Sequence, residues 1–224
     1  VLFRSARIAA DYGVKTVDVL TGFKFIGDQI ARLEAEGREN DYILGFEESY
    51  GYLSGSYVRD KDAVDGAFLI CEMAAYYRSK GMGLLEVLEG LYEKYGFCLN
   101  TLHSYEFEGM EGFEKMKGIM NRLHTMASRI AEGEAVCIGG RKTEAVEDYL
   151  SGTISRADKT TEPIAGLPSS DVLKFRLAGN ASVVVRPSGT EPKLKLYISV
   201  SAEDKAKAQA EEEKITAQME EWFL

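Results

Sequence analysis

The segment Val183–Lys193, VVVRPSGTEPK, concentrates what an oxyanion needs. Arg186 offers a planar fork of donors matched to two phosphate oxygens. Ser188 and Thr190 add hydroxyl donors. Gly189, lacking a Cβ, lets the backbone turn sharply and aim its N–H groups inward as an anion nest. Lys193 supplies a further positive charge. Taken alone, the same residues equally suit a hairpin connection in which Pro187 and Gly189 only shape the turn. A nucleotide P-loop is excluded, because a strand-like run follows and the GxxxxGK[ST] spacing is absent.

Two other short segments carry chemistry. Phe46–Gly51, FEESYG, follows a strand-like run. In open α/β sheets ligands gather at the carboxyl ends of strands. Glu47 and Ser49 flank Glu48 and point the same way in an extended segment. A carboxylate beside a hydroxyl suits vicinal sugar hydroxyls, which both donate and accept. Thr21–Lys24, TGFK, is another strand-to-helix turn, from which Lys24 can reach a phosphate or sugar oxygen. By themselves, Glu47 and Lys24 read better as solvated surface charges. Asp60, Asp62 and Asp65 before Gly66 imitate a calcium loop, but Val64 and Cys71 stand at ligand positions. Asp62 is better read as a helix cap, with Asp65 favouring the first turn.

The elements that must hold these segments follow from periodicity. Helical patterns cover 6–12, 24–36, 62–80 and 84–95, and strand-like patterns cover 14–20 and 42–46. The alternation predicts an α/β layer with a mostly parallel sheet. Beyond residue 100 the pattern changes. Strands are predicted at 102–108, 135–138, 172–177, 182–186 and 194–200, with a helix over 112–126 and a loop over 153–170. A closing helix over 203–223 carries the apolar residues Ala206, Ala210, Ile215 and Met219. This half reads as α+β with an antiparallel sheet, and the joint is expected around 99–104.

The 224 residues suffice for two domains, and 45% hydrophobic with 28% charged residues is an ordinary globular balance. A net charge of −9 argues against a general nucleic-acid partner. No apolar run approaches the ~20 residues needed to span a bilayer, so no membrane partner is expected. Cys71, Cys98 and Cys137 are odd in number and widely spaced, which fits neither a disulfide framework nor a zinc site and points to a cytoplasmic protein. His103 and His124 lack metal-ligand spacing and read as structural or surface residues. Val1–Ser5 has no signal-peptide features and is given no structural weight; the following run reads as a helix caught in mid-element, as if the chain were cut from something longer.

Taken together and in order, TGFKFIGDQI, GFEESYGYLSGSYVRDKDAVDG and VVVRPSGTEPKLKLYISV closely resemble the α-D-phosphohexomutase family, nearest its bacterial α-phosphoglucomutase branch. The resemblance implies a three-layer α/β/α domain III over 1–100, incomplete at its N-terminus and bearing the sugar-binding loop. It implies a C-terminal domain IV over 101–224, resembling the TATA-binding-protein fold and bearing the phosphate-binding loop. Glu47 and Ser49 are then expected to hold sugar hydroxyls. Arg186, Ser188, Gly189 and Thr190 clamp the phosphate that is not reacting, and Lys24 faces the reacting end. Arg59, Lys61 and Asp62 match a family stretch without an assigned role.

The family's phosphoserine segment and its magnesium loop belong to two earlier domains, and neither motif occurs here. The expectation is therefore a C-terminal portion of an intramolecular phosphotransferase interconverting glucose 1-phosphate and glucose 6-phosphate. Its Mg2+ would be bound by the missing N-terminal domains, with glucose 1,6-bisphosphate as activator and intermediate, and this portion alone would be inactive. Ribose or mannose phosphate is the alternative substrate. A non-catalytic sugar-phosphate-binding module is the alternative of another class.

Overall fold

The computed structural model describes residues 2–47, 51–188 and 191–223. Two compact units emerge. Residues 8–94 make the first, and residues 95–223 with 3–7 make the second.

In the first unit the closing half of helix α1 (Leu2–Asp11) leads to helix α2 (Phe23–Ala35), strand β1 (Leu44–Phe46), strand β2 (Tyr52–Ser54), helix α3 (Ala63–Ser79) and helix α4 (Leu84–Tyr95). The helix begins at Leu2, so residues 2–5 belong to an element after all. β1 and β2 pair antiparallel, with Gly45 opposite Leu53. β2 lies between the strand-like pattern over 42–46 and the helical pattern over 62–80, where the sequence showed neither period. Residues 14–20 form neither helix nor ladder, and they are not the predicted strand. Alternating valines favour an extended chain, but a strand also needs a hydrogen-bonding neighbour, and none pairs with this segment among the described residues. Val17 stays exposed, while Val19 packs against a core of Phe23, Ile26, Ile30 and Leu53. The sheet of this unit is accordingly an antiparallel hairpin among the described residues, not a parallel layer.

Local chemistry accounts for the helix starts. Asp62 caps α3, its carboxylate accepting from the Val64 and Asp65 backbone N–H groups. Asp65 does more than favour the first turn. Its two oxygens accept from the Ser54 N–H and hydroxyl, each at 2.6 Å, tying α3 to β2. In α2, Gly27 is buried where an added Cβ would lie 2.7 Å from the Arg59 carbonyl oxygen. Gly27→Ala is therefore expected to destabilise this unit. Alanine's helix preference returns ~1 kcal/mol, whereas forcing the segment at Arg59 outward costs ~1–3 kcal/mol. A fall in the chemical denaturation midpoint is the check, and an unchanged or raised midpoint would refute the close approach.

The second unit is built on one antiparallel sheet. Its strands are β3 (Phe97–Glu106), β5 (Arg141–Asp148), β6 (Thr153–Arg156), β7 (Thr161–Pro163), β8 (Leu173–Leu177), β9 (Ala181–Pro187) and β10 (Lys193–Ala202). The order across the sheet is β3-β10-β9-β8-β5-β6-β7, and a short β4 (Cys137–Ile138) pairs with β5. Helices α5 (Gly109–Ala131) and α6 (Lys205–Phe223) lie on one face. Residues 99–104, where the joint was expected, run inside β3.

Alternation decides the faces. Leu194, Leu196, Ile198 and Val200 of β10, Val183 and Val185 of β9, and Phe175 of β8 are buried in one core with Ile119, Leu123 and Ile130 of α5 and Ile215 and Met219 of α6. Each such side chain contributes ~1.5–3 kcal/mol. On α6 the buried stripe is Ala208, Glu212, Ile215, Met219 and Phe223, whereas Ala206 and Ala210 face solvent, contrary to expectation. The carboxylate of Glu212 tolerates its position because Thr101 and Thr216 donate to it and His103 lies 2.7 Å away.

The opposite sheet face carries the other alternate residues, among them Lys174, Arg186, Lys195 and the nearly buried Glu147. Burial is the largest single influence on the Glu147 carboxyl and pushes its pKa up. Lys174 at 3.3 Å, the Tyr149 hydroxyl and Arg176 together outweigh burial and hold it below the usual carboxylate range. The three cysteines are free, and no helix is long and apolar enough to cross a membrane among the described residues.

Candidate functional site

The chemistry-bearing residues fall into two sets, one in each unit. In the first, Phe23 is buried and anchors the start of α2, leaving Lys24 exposed with its Nζ 4.8 Å from the centroid of the Phe25 ring. Glu47 follows β1 directly. Its N–H donates to the Gly51 carbonyl at 2.9 Å, closing the turn from which the carboxylate projects. Ser49 lies outside the described residues. An added Cβ on Gly51 would meet Glu47 Oε2 and Lys61 Cδ, each at 3.1 Å. The Glu47 carboxylate and the Lys61 side chain thus converge on one glycine.

Lys61 had no role by sequence. Its Nζ lies 3.1 Å from Asp60 Oδ1 and 5.9 Å from the Phe23 ring centroid, which places it between the two loops. A signal was available: a lone lysine nine residues after strand β2 began, just before a capping aspartate, where the chain must return past Glu47. Arg59, by contrast, bonds the Ser56 carbonyl and Glu34 and serves the local framework. Asp62 is held below the usual carboxylate range, first by the Asp65 N–H, then by the Tyr57 hydroxyl and the Val64 N–H. It is a cap, consistent with reading the aspartate run as structural. Among the described residues no group of three or more His, Cys, Asp or Glu is arranged to hold a metal ion.

In the second unit the hairpin from β9 to β10 presents the phosphate-type residues. Arg186 is the penultimate residue of β9 and half-exposed on the helix-free face. The turn is closed by the Ser188 N–H donating to the Lys193 carbonyl at 2.7 Å. Gly189 and Thr190 lie outside the described residues. Lys193 is engaged: Glu106 at 3.0 Å and Glu191 at 3.2 Å pair with it and hold its ammonium above the usual lysine range.

Lys195 is the cation that sequence alone passed over. It sits directly opposite Arg186 in the β10–β9 register and therefore on the same face. Neither Arg186 nor Lys195 forms an ion pair or side-chain hydrogen bond among the described residues, so two like charges stand side by side without a counter-ion. Strand parity, two residues on from Lys193, was the available signal. Such a pair is unfavourable by itself and is relieved by an anion between the two heads.

Comparison with known proteins shows the family. The family profile described as phosphoglucomutase/phosphomannomutase, alpha/beta/alpha domain III, matches residues 4–95, and the profile for the C-terminal domain of the same family matches residues 137–216. A phosphoglucomutase of Staphylococcus aureus (strain MRSA252) is 40% identical over 191 residues, covering 85% of this chain and 33% of that protein. A second, from the bovine strain RF122, is 39% identical over 187 residues, covering 84% of this chain and 32% of its own. The chain thus spans about a third of the length of the curated relatives it matches.

Among solved structures, a crystal structure of the exocytosis-sensitive phosphoprotein pp63/parafusin from Paramecium, titled as a phosphoglucomutase in its open form, matches 96% of this chain and 35% of its own. Its TM-score is 0.64 at 19% identity, a likeness of fold. With both successive domain profiles matched in order, the chain belongs to the phosphoglucomutase/phosphomannomutase family, as an α/β domain III followed by the α+β C-terminal domain.

Proposed function

We propose that this chain is the substrate-recognition portion of a phosphoglucomutase, a longer protein that interconverts glucose 1-phosphate and glucose 6-phosphate through glucose 1,6-bisphosphate. The observation that carries the reading is the uncompensated pair Arg186 and Lys195 at the base of the RPSGT turn, in a chain of this family. Arg186 grips two oxygens of the phosphate that is not being transferred, and Lys195 neutralises its remaining charge. Ser188 and Thr190 donate hydroxyls, and the Gly189 backbone closes the nest, with Lys193 balancing the acidic neighbours.

In the other domain, Glu47 and Ser49 hold sugar hydroxyls, while Lys61 and Lys24 supply positive charge toward the reacting end. We take the division of labour as sugar recognition in the first unit, 8–94, and phosphate recognition in the second, from 95 onward, in place of the expected division at 100. The phosphoryl carrier and the Mg2+ that supports transfer belong to the missing N-terminal domains of the same chain.

A mutase binds its sugar in two opposite presentations, so a contact shared by both must accept from hydroxyls on either. A carboxylate does this, whereas an amide has one acceptor oxygen and a donor group. Glu47→Gln in the full-length protein is expected to lower kcat/KM by roughly tenfold or more in both reaction directions, as loss of a charge-assisted hydrogen bond of ~1.5–3 kcal/mol requires. Coupled assays started from glucose 1-phosphate and from glucose 6-phosphate decide it. A loss in one direction only, or in neither, removes Glu47 from the shared sugar contact.

A further inference from the structure

The strand register lays out the helix-free face of the C-terminal sheet in rows. α5 and α6 both pack on the other face. The row nearest the hairpin runs Ser104, Lys195, Arg186 across β3, β10 and β9. Two residues further along each strand, roughly 7 Å away, the same face carries Leu102, Tyr197 and Val184. Beyond them come Asn100 and Ser199, the Ser199 hydroxyl donating to Asn100 Oδ1 at 2.7 Å.

The middle row has no part in the function proposed above. Leu102 is 53% exposed, and Tyr197 and Val184 are partly buried. None of the three belongs to the core that α5 and α6 cover. On the β8 side the row ends at Lys174, opposite Val184, whose ammonium is engaged by Glu147 at 3.3 Å. On the other side it ends at the sheet edge, since β3 is the outermost strand. An apolar strip centred on an aromatic ring therefore lies alongside the two cations that lack a counter-ion.

A free phosphate needs only the first row. The second adds a surface for carbon. A ligand whose phosphate sits between Arg186 and Lys195 can extend away from the sheet into water, or along it over Tyr197. Along the sheet, the C–H face of a sugar ring meets the electron-rich face of the tyrosine, and apolar area leaves water. Charge fixes which end of the ligand goes where, because Lys174 is already paired and the strip has no other cation. We propose that Tyr197, flanked by Leu102 and Val184, is the floor on which the sugar ring of a phosphorylated ligand rests while Arg186 and Lys195 hold its phosphate. The floor rests on the anion reading of that pair. It makes Tyr197 a contact that selects a sugar phosphate over free phosphate, a distinction that two cations do not make.

The test is calorimetric titration of the chain 1–224 with inorganic phosphate and, separately, with glucose 6-phosphate. Wild type is expected to prefer glucose 6-phosphate by roughly tenfold. Tyr197→Ala should remove most of that preference and leave phosphate affinity within about twofold, whereas Tyr197→Phe should keep the preference, because the ring and not the hydroxyl makes the contact. Leu102→Ser, at an exposed edge position, should lower the preference by about threefold and serves where the alanine variant fails to fold. Retained phosphate binding reports an intact hairpin in each variant. Three results would overturn the floor: a wild type without the preference, Tyr197→Ala and Leu102→Ser variants that keep it in full, or affinities for both ligands that fall together. Phosphate binding that survives Arg186→Ala would instead overturn the anion reading beneath it.

Discussion

Gly139→Ala is expected to destabilise the C-terminal unit by about 3 kcal/mol, the combined effect of left-handed strain of ~1–2 kcal/mol and overpacking of ~1–3 kcal/mol. Gly139 lies at the turn between β4 and β5 with φ +59. An added Cβ there would meet the backbone N and Cα of Ile215 at 2.9 Å, and the Ile215 side chain closer still. That obstacle is helix backbone, held by a side chain buried in the core, and it cannot swing aside. The Gly139 N–H also donates to Gln218 Oε1 at 2.7 Å, so moving the turn breaks a second link to α6.

The neighbouring residue is the internal control. Gly140 has φ +78 but nothing within 4 Å of its would-be Cβ. Gly140→Ala should lose only the strain, ~1–2 kcal/mol. Urea unfolding of both variants separates the two contributions. Equal losses would mean that α6 yields to the added carbon, and that the close approach is not what requires glycine.

The second large effect concerns the anion. Arg186→Ala should weaken inorganic phosphate binding by roughly 10–100-fold, as loss of a charge-assisted contact of ~1.5–3 kcal/mol implies. Arg186→Lys keeps the charge but loses the two-pronged geometry, and a loss of about tenfold is expected, worth ~1.4 kcal/mol. The strand position strengthens this expectation. Arg186 pairs with Lys195 of β10, and the preceding Val185 is paired on both sides, so the backbone has little freedom to let a lysine compensate. Calorimetric titration of wild type and both variants measures it. Unchanged affinity in Arg186→Lys would show that only charge is recognised, and unchanged affinity in Arg186→Ala would take the anion elsewhere.

The two candidate segments were legible because their residue types are tied to a local shape. Arg186 fell in a strand by simple alternation with Val183 and Val185, and Glu47 fell at a strand end before a glycine. The helices followed from period and caps, as at Asp62. What escaped depends on partners distant in sequence. Val14–Leu20 alternates like a strand, yet pairing is a property of two segments, and no neighbour pairs with it among the described residues. The reverse holds for 141–148 and 153–163, where charged and small residues hide strands that the sheet supplies with neighbours.

On α6, Ala206 and Ala210 look apolar enough to face inward, but Glu212 takes the inward place because Thr101 and Thr216 donate to it there. Lys195 was overlooked for the same reason. Its pairing with Arg186 is a matter of register across a hairpin, and what distinguishes it from Lys193 is the absence of the glutamates that engage the latter.

The place of β3 in the sheet has a consequence for synthesis. β3 is the first strand of the C-terminal sheet to be made, yet its partner is β10, with Phe97 opposite Ala202 and Glu106 opposite Lys193. Roughly 90 to 105 further residues must leave the ribosome before that ladder can form. At ~5–20 residues per second, β3 waits on the order of 5–20 s as an unpaired ten-residue segment. The helix α6 that covers its inner face is made later still. Nascent chains arrested before residue 193 should therefore leave Phe97–Glu106 open to protease and to chaperones, and protection should arrive only once β10 and α6 are out.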